Sequence, residues 1–418
     1  MRTSFTWTVG IATLIAMGVL VACSNKYSSS NNGLLVVSTQ NIPVMDTFSI
    51  DLNNGHTTQI YNANAPPPKG VPTAVVLNPA GTFAYVMVTQ SSTVQGSATG
   101  IEAFPVASDG KLGTGTSTAL NAATFGGATV PVIPVAMVMD SAGKFLFIAD
   151  SQTNGAPGGV SVLSVGSGGA LTEVSGSPFL LPAQNGGVTP SASAVAITST
   201  LFPPEYAICS GNVPPTTENL YVTDSANYWV LNYSVSSAGA LTFVSQNATG
   251  TVPSGVTVDP CNRFVYVSNS QPNNSVSAFT ICNATSFPAC PNPDYSLLPV
   301  SGSPYPVGNG PGPLMLDAYA AYLYVLDTQA NQISAFRVGP TTGSLTPLSP
   351  PTISTNNGGV GGSSYPTSMA IRSDDSWMFV ANSNGETVSE YAITPSSGAL
   401  TPQGSVTTDP TPWGVAVK

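Results

Sequence analysis

Charge is what this chain has least of. Of 418 residues, 9 are Lys or Arg and 19 are Asp or Glu, 7% in all, against about 25% in a typical soluble domain. Nine cations and a net charge of −10 cannot neutralise a run of phosphates, which excludes nucleic acid as a partner. A single histidine, His56, removes the usual base from any Ser–His–Asp arrangement. No phosphate-binding or dinucleotide-binding glycine loop is present either. Helical pattern is missing too: after Cys23 no apolar stripe of helical period extends far without meeting Gly or Pro. Yet apolar residues make up 42%, enough for a large core, so global disorder is excluded as well.

The first 22 residues read as an export signal. Arg2 is the sole charge, and Trp7 to Leu20 form an apolar run shorter than the roughly 20 residues that span a bilayer. Leu20-Val21-Ala22-Cys23 resembles the lipobox of bacterial lipoproteins, which implies cleavage before Cys23 and lipid attachment to it. Residues 23–33 follow as a polar tether. The expected address is the cell envelope, on the periplasmic face of an outer membrane or on the cell surface, with the membrane reached through the lipid. Cys209, Cys261, Cys282 and Cys290 remain. An even number in an exported chain predicts two disulfides, with three pairings open. No spacing matches a zinc or haem site, so no cofactor is expected.

What the chain has in quantity is repetition. One element is a Pro followed by aliphatics: Pro72-TAVV, Pro134-VAMVM, Pro190-SASAVAI, Pro253-SGVTV, Pro311-GPLML, Pro366-TSMAI and Pro412-WGVAV. Six intervals cover 340 residues, about 57 each, near the ~40–50 of propeller blades once loops are allowed for. A second element pairs aromatics with aliphatics, as in Phe83-AYV, Phe145-LFI, Phe264-VYV, Tyr322-LYV and Trp377-MFV. These runs are apolar at consecutive positions, which predicts strands buried on both faces. A third element, Val/Ile-x-x-aromatic-x-Val/Ile, recurs as Ile101-EAFPV, Val230-LNYSV, Val276-SAFTI, Ile333-SAFRV and Val388-SEYAI, with variants at Met45 and Val160. Gly-x-Leu then opens a fourth, outer strand after a positive-φ turn. The predicted fold is all-β: a seven-bladed propeller of four-stranded antiparallel blades over 34–418. The N-terminal blade lacks an inner strand and the last Pro element has no blade of its own. The two ends therefore complete one another, and the C-terminal strand closes the ring.

Asn78-PAGTFAYV, Val265-YVSNS and Leu220-YVTDS resemble the lactonase-like seven-bladed propellers, related to 6-phosphogluconolactonase and to YVTN-repeat surface proteins. The likeness covers about 34–418. It implies a ligand face where the chain enters each inner strand and where second and third strands join. In lactone-processing relatives the entry segment carries Arg and His, suited to anion binding and proton transfer. Here those places hold Thr73-Ala74, Val135-Ala136, Ser191-Ala192, Ser254-Gly255, Gly312-Pro313, Thr367-Ser368 and Trp413-Gly414. None is ionisable.

One polar series lies on the favoured face. The second strands end in Asp150, Asp224, Asn269, Asp327 and Asn382, with Thr39 and Thr89 completing the set. Carboxylates and amides are hard oxygen ligands, so the series is a candidate ring for a sugar or a divalent cation; turn bonding explains it equally in each blade. The turn residues Asp140, Asp259 and Asp374-Asp375, and the cations Arg263, Arg337 and Arg372, are expected away from the mouth, the arginines in surface pairs. On the blade assignment, Cys209 and Cys261 share one face of neighbouring blades and are expected to pair, leaving Cys282 with Cys290. The resulting expectation is a lipid-anchored, non-catalytic binding or scaffolding module with a protein or carbohydrate ligand. The alternative is a lactone hydrolase using an acidic, metal-assisted mouth.

Overall fold

The computed structural model describes residues 16–17, 32–60, 68–90, 99–183, 188–201, 209, 217–283, 294–356 and 364–418. Cys23, Cys290 and most of the leader and tether lie outside them. Ala16–Met17 pair in parallel with Ala136–Met137.

Seven antiparallel sheets follow one another in chain order, each with the connectivity predicted from the repeats. Blade 1 is built from both ends: Pro412–Val417 is its inner strand, followed outward by Asn32–Thr39, Val44–Asp51 and Thr57–Gln59. Leu35 to Thr39 pair with Val417 to Pro412, and Leu34 and Lys418 exchange backbone hydrogen bonds at 3.2 and 2.8 Å. The first strand of the ring begins at Asn32, so the last tether positions belong to the sheet. Blades 2 to 7 have inner strands Val71–Leu77, Ile133–Met139, Ala192–Ile197, Pro253–Val258, Pro311–Leu316 and Pro366–Ile371. Their second strands are Phe83–Thr89, Phe145–Ser151, Asn219–Asp224, Phe264–Asn269, Tyr322–Asp327 and Trp377–Asn382. Third strands are Gly100–Pro105, Gly159–Val165, Trp229–Val235, Ser275–Ile281, Gln332–Val338 and Thr387–Ile393. A short hairpin, Ala123–Phe125 with Ala128–Val130, is inserted between blades 2 and 3.

The doubly apolar second strands are buried along their whole length in blades 4 to 7, because each sheet face meets the next blade. Those interfaces explain two repeat signals together. The Gly of Gly-x-Leu sits directly against the aromatic that opens the preceding blade's second strand. A β-carbon on Gly343 would lie 2.4 Å from the Phe264 ring, and one on Gly398 2.3 Å from Tyr322. Gly169 with Phe83 and Gly239 with Phe145 repeat the contact. The second aromatic then fastens the same turn: the Tyr266 hydroxyl donates to Gly343 O at 2.9 Å and Tyr324 to Gly398 O at 2.8 Å. Where blade 4 opens on Asn219 instead of an aromatic, blade 5 has no Gly-x-Leu.

The inner strands carry a β-bulge at one place in every blade, between Pro72 and Ala74, Pro134 and Ala136, Ala192 and Ala194, Pro253 and Gly255, Pro311 and Leu314, Pro366 and Ser368, and opposite Ser38/Thr39. In blade 4 the residue opposite the second-strand Asp is Ala192, where other blades place Pro. Pro190 lies two residues upstream, so the structural counterparts of the entry pair are Ser193-Ala194 and not Ser191-Ala192.

The turn face opposite the ligand side holds the strongest fastenings. Cys209 and Cys261 form the expected disulfide, with Cα atoms 5.2 Å apart. Cys282 is also disulfide-bonded. Arg263 is not in a surface pair. It is buried, paired through Nε with Asp259 at 2.5 Å, bonded through Nη1 to Pro340 O at 3.0 Å, and stacked on Phe264. The buried Phe264 ring covers the cation, with the Arg263 Cζ 5.3 Å from its centroid. Arg372 pairs with the exposed Asp374, and Arg337 lies over Tyr322.

Candidate functional site at the channel mouth

The five Asp and Asn residues that end the second strands occupy equivalent places, each opposite the start of its blade's inner strand. All are buried. Thr39 shares the position in blade 1, but Thr89 does not share it in blade 2. Val88 lies opposite Pro72, and Thr89 falls one residue further on. Counted from the opening aromatic, Val88 is the counterpart of Asp150, five residues on from Phe83 as Asp150 is from Phe145.

The side chains turn along the sheet toward the third strand. Ser161 Oγ donates to Asp150 Oδ2 at 2.7 Å, and Ser334 Oγ to Asp327 Oδ2 at 2.6 Å. Asn269 Nδ2 donates to Ser277 Oγ at 3.1 Å and Asn382 Nδ2 to Ser389 Oγ at 2.8 Å. In blade 4 the serine is replaced by Leu231, and Asp224 instead accepts from the N–H groups of Ser191 and Ala226 and from Asn227 Nδ2. Two further members could not be found by reading second strands alone. Where the second strand supplies Thr39 or Val88, the third strand supplies the carboxylate, Asp46 or Glu102, at the position held elsewhere by serine. The signal was present in the third repeat element, as the residue after Met45 and after Ile101.

These polar centres clasp the segment that delivers the chain to each inner strand. The N–H of Asp409 donates to Asp46 Oδ2 at 2.8 Å, that of Lys69 to Glu102 at 2.5 Å, that of Gly308 to Asp327 at 3.1 Å and that of Gly250 to Ser277 Oγ at 3.2 Å. Burial without a cationic partner disfavours the charged form. It lifts Asp150 to about 7, Asp327 to about 6 and Asp46 to about 6, with Asp409 adding repulsion at Asp46. One oxygen in four blades, Oδ1 of Asp150, Asn269, Asp327 and Asn382, has no partner among the described residues. No group of three or more His, Cys, Asp or Glu able to hold a metal ion occurs among the described residues.

Closer to the channel, the entry positions bind the next blade. Ser193 Oγ donates to Pro253 O at 2.7 Å, Ser254 Oγ to Pro311 O at 2.6 Å, and Thr367 Oγ1 to Pro412 O at 3.3 Å. Blade 1 has Trp413 at the bulge, and Gln40 Nε2 reaches Pro72 O at 3.3 Å in its place. Thus Ser193, Ser254 and Thr367, at three of the uncharged entry positions, tie one blade to the next, whereas Thr73 bonds Met87 O of its own blade at 3.3 Å. His56 lies at the third-to-fourth-strand turn of blade 1, on the opposite face, with Nδ1 3.7 Å from the buried Glu390.

Residues 308–417 match the family model described as lactonase, 7-bladed beta-propeller. No curated protein matches the chain. Among solved structures, a protein from Lactobacillus plantarum superposes with a TM-score of 0.66 at 16% identity, covering 93% of this chain and 99% of that one. A putative 6-phosphogluconolactonase from Bacteroides fragilis gives 0.65 at 16%, covering 94% and 100%. A periplasmic gluconolactonase from Pseudomonas aeruginosa gives 0.64 at 18%, covering 92% and 99%. The resemblance read from the repeats is thereby matched by fold over nearly the whole chain, and by the lactonase seven-bladed propeller family over its final two blades and closing strand.

Proposed function

We propose that this propeller is an exported, lipid-anchored module that binds or scaffolds at the cell envelope without catalysing a reaction. The observation that carries this reading is the chemistry of the entry positions. Thr73, Val135, Ser193, Ser254, Gly312, Thr367 and Trp413 offer no acid, base or cation, and the hydroxyls of Ser193, Ser254 and Thr367 are already engaged between blades. General acid–base catalysis needs a titratable group within hydrogen-bond reach of the reacting atom, and the raised carboxyl groups of Asp150 and Asp327 are sealed inside their own blades. Anchoring through Cys23 follows from the lipobox-like tetrad. An alanine at Cys23 is expected to release the chain from membranes.

The match to the lactonase model favours a second reading, a lactone hydrolase working through the Asp and Asn ring with a divalent ion. A lactone hydrolysis assay with and without added divalent cations separates the two. The binding-module reading expects no turnover above spontaneous hydrolysis. Turnover that disappears in Asp150→Ala/Asp327→Ala overturns it.

A further inference from the structure

Two residues beyond the second-strand residue that lies opposite the start of the inner strand, on the same face as the channel mouth, stands a repeated side chain type: Asn41, Gln90, Gln152, Gln271, Gln329 and Asn384, one in each of six blades. All six are exposed. Blade 4 has Ala226 there, followed by Asn227, whose amide is used internally on Val188 O and Asp224. These carboxamides are anchored at their bases. Gln329 folds over the entry of its own inner strand, so that a β-carbon on Gly310 would meet its side chain at 2.6 Å. The Gln152 N–H donates to Ser191 Oγ at the entry of the next blade, at 3.3 Å.

Two aromatic rings share this face. Tyr365, at the entry of blade 7, is 40% exposed, and Tyr228, before the third strand of blade 4, is 41% exposed. Both adopt left-handed backbone, with φ of 44° and 65°, a conformation costly for a bulky residue and found where surroundings impose it. Tyr365 is imposed from both sides: its N–H donates to Asn331 Oδ1 at 2.8 Å and its carbonyl accepts from Ser383 N–H at 3.1 Å. The exposed amide of Asn384 follows directly, its N–H bonded to Ser364 O. The described loops of this face carry three residues of the Lys, Arg, Asp or Glu types, Lys69, Glu386 and Asp409.

We propose that this rim binds a neutral, hydroxyl-rich chain, a glycan of uncharged sugars laid across the channel mouth. The proposal rests on the binding-module reading and names its ligand class. A carboxamide presents one acceptor and two donors, which matches adjacent sugar hydroxyls, each able to donate and accept. It does so without a counter-ion. An exposed tyrosine face offers an apolar platform with a polar edge, suited to the C–H face of a pyranose ring. A polyanion requires clustered cations, which the described loops of this face lack.

Affinity gel electrophoresis of the mature chain against a neutral α-glucan, β-glucan, mannan and galactan, with polygalacturonate as the anionic control, tests it. Retardation by a neutral polymer, equal at low and high salt, is expected. It should weaken by about tenfold or more in Gln152→Ala/Gln271→Ala/Gln329→Ala and in Tyr365→Ala, with melting temperature unchanged because these side chains are exposed. Binding confined to polygalacturonate, no retardation by any neutral polymer, or neutral binding indifferent to both variants would overturn the proposal. Lactone turnover, by contrast, would defeat the non-catalytic reading whatever the rim does. Failure of the rim without turnover defeats the rim alone.

Discussion

The two faces of the ring are fastened by different chemistry. The face of the first-to-second-strand turns is covalent and ionic: the Cys209–Cys261 disulfide, the buried Asp259–Arg263 pair, and the carboxyl groups of Asp140, Glu218, Asp317 and Asp375. The mouth face has no disulfide or ion pair among the described residues and is held by hydrogen bonds, hydroxyl to proline carbonyl and amide or buried carboxyl to entry N–H. Buried charge is expensive and locks geometry; neutral donors and acceptors leave a surface that is wet, adaptable and uncharged. The mouth's carboxyl groups are buried inside the blades while its exposed described loops carry little charge, which agrees with a mouth that recognises by hydrogen bond and ring stacking.

The comparison can be broken in graded ways. Deleting residues 412–418 removes the inner strand of blade 1 from both faces at once, together with the Lys418 Nζ bond to Ala80 O. Loss of the single cooperative melting transition is expected, and calorimetry checks it. Replacing Cys209 and Cys261 with Ser frees a loop of sequence separation 52, worth about 4 kcal/mol by chain entropy. Denaturant midpoints should fall accordingly while glycan or lactone assays on the mouth face stay unchanged.

Proton linkage should also be lopsided. Burial raises Glu218 to about 8, Asp317 to about 7 and Asp375 to about 6, with Asp140 repelling Glu218 and Asp375 repelling Asp317. Asp150 and Asp327 move the same way on the other side. Between the unfolded values near 4 and these raised values the native chain holds more protons than the unfolded one, so stability is greatest at acid pH and declines as pH rises through about 6 to 8. Melting temperature is expected to drop by about 5 °C or more from pH 5 to pH 8, and Asp317→Asn/Asp375→Asn should flatten part of that slope. The smallest effect is at one mouth tie. Ser254→Ala removes a buried hydroxyl that bonds Pro311 O and leaves that carbonyl short of a donor, costing about 1–2 kcal/mol, measurable as a shift in denaturant midpoint with no change in slope.

Much of the architecture is legible in the repeats because each blade signals itself locally. Doubly apolar aromatic strands, the Gly-x-Leu turn and the surplus Pro element at 412 were enough for blade number, strand order and closure, and the blade assignment then placed Cys209 beside Cys261. The candidate site was less legible. Thr89 looked like a ring member until strand pairing put Val88 opposite Pro72. Ser191 looked like an entry residue until the bulge put Ser193 there. Arg263 looked like a surface cation until Phe264 and Asp259 enclosed it. Each miss is one of register or burial, set by partners across a sheet or in another blade.

By itself the sequence determined the kind of molecule: seven equivalent sheets, poor in charge, closed by the chain's own end. Those properties are carried by residue type and spacing within a blade. Only the tertiary structure decided which polar groups exchange roles between strands, as Asp46 and Glu102 do for the missing Asp or Asn, and which glycines exist to admit a neighbour's aromatic ring. Such contacts join residues on different strands or some 70 positions apart, as Tyr266 and Gly343 are, and nothing local in the chain encodes a distance of that kind.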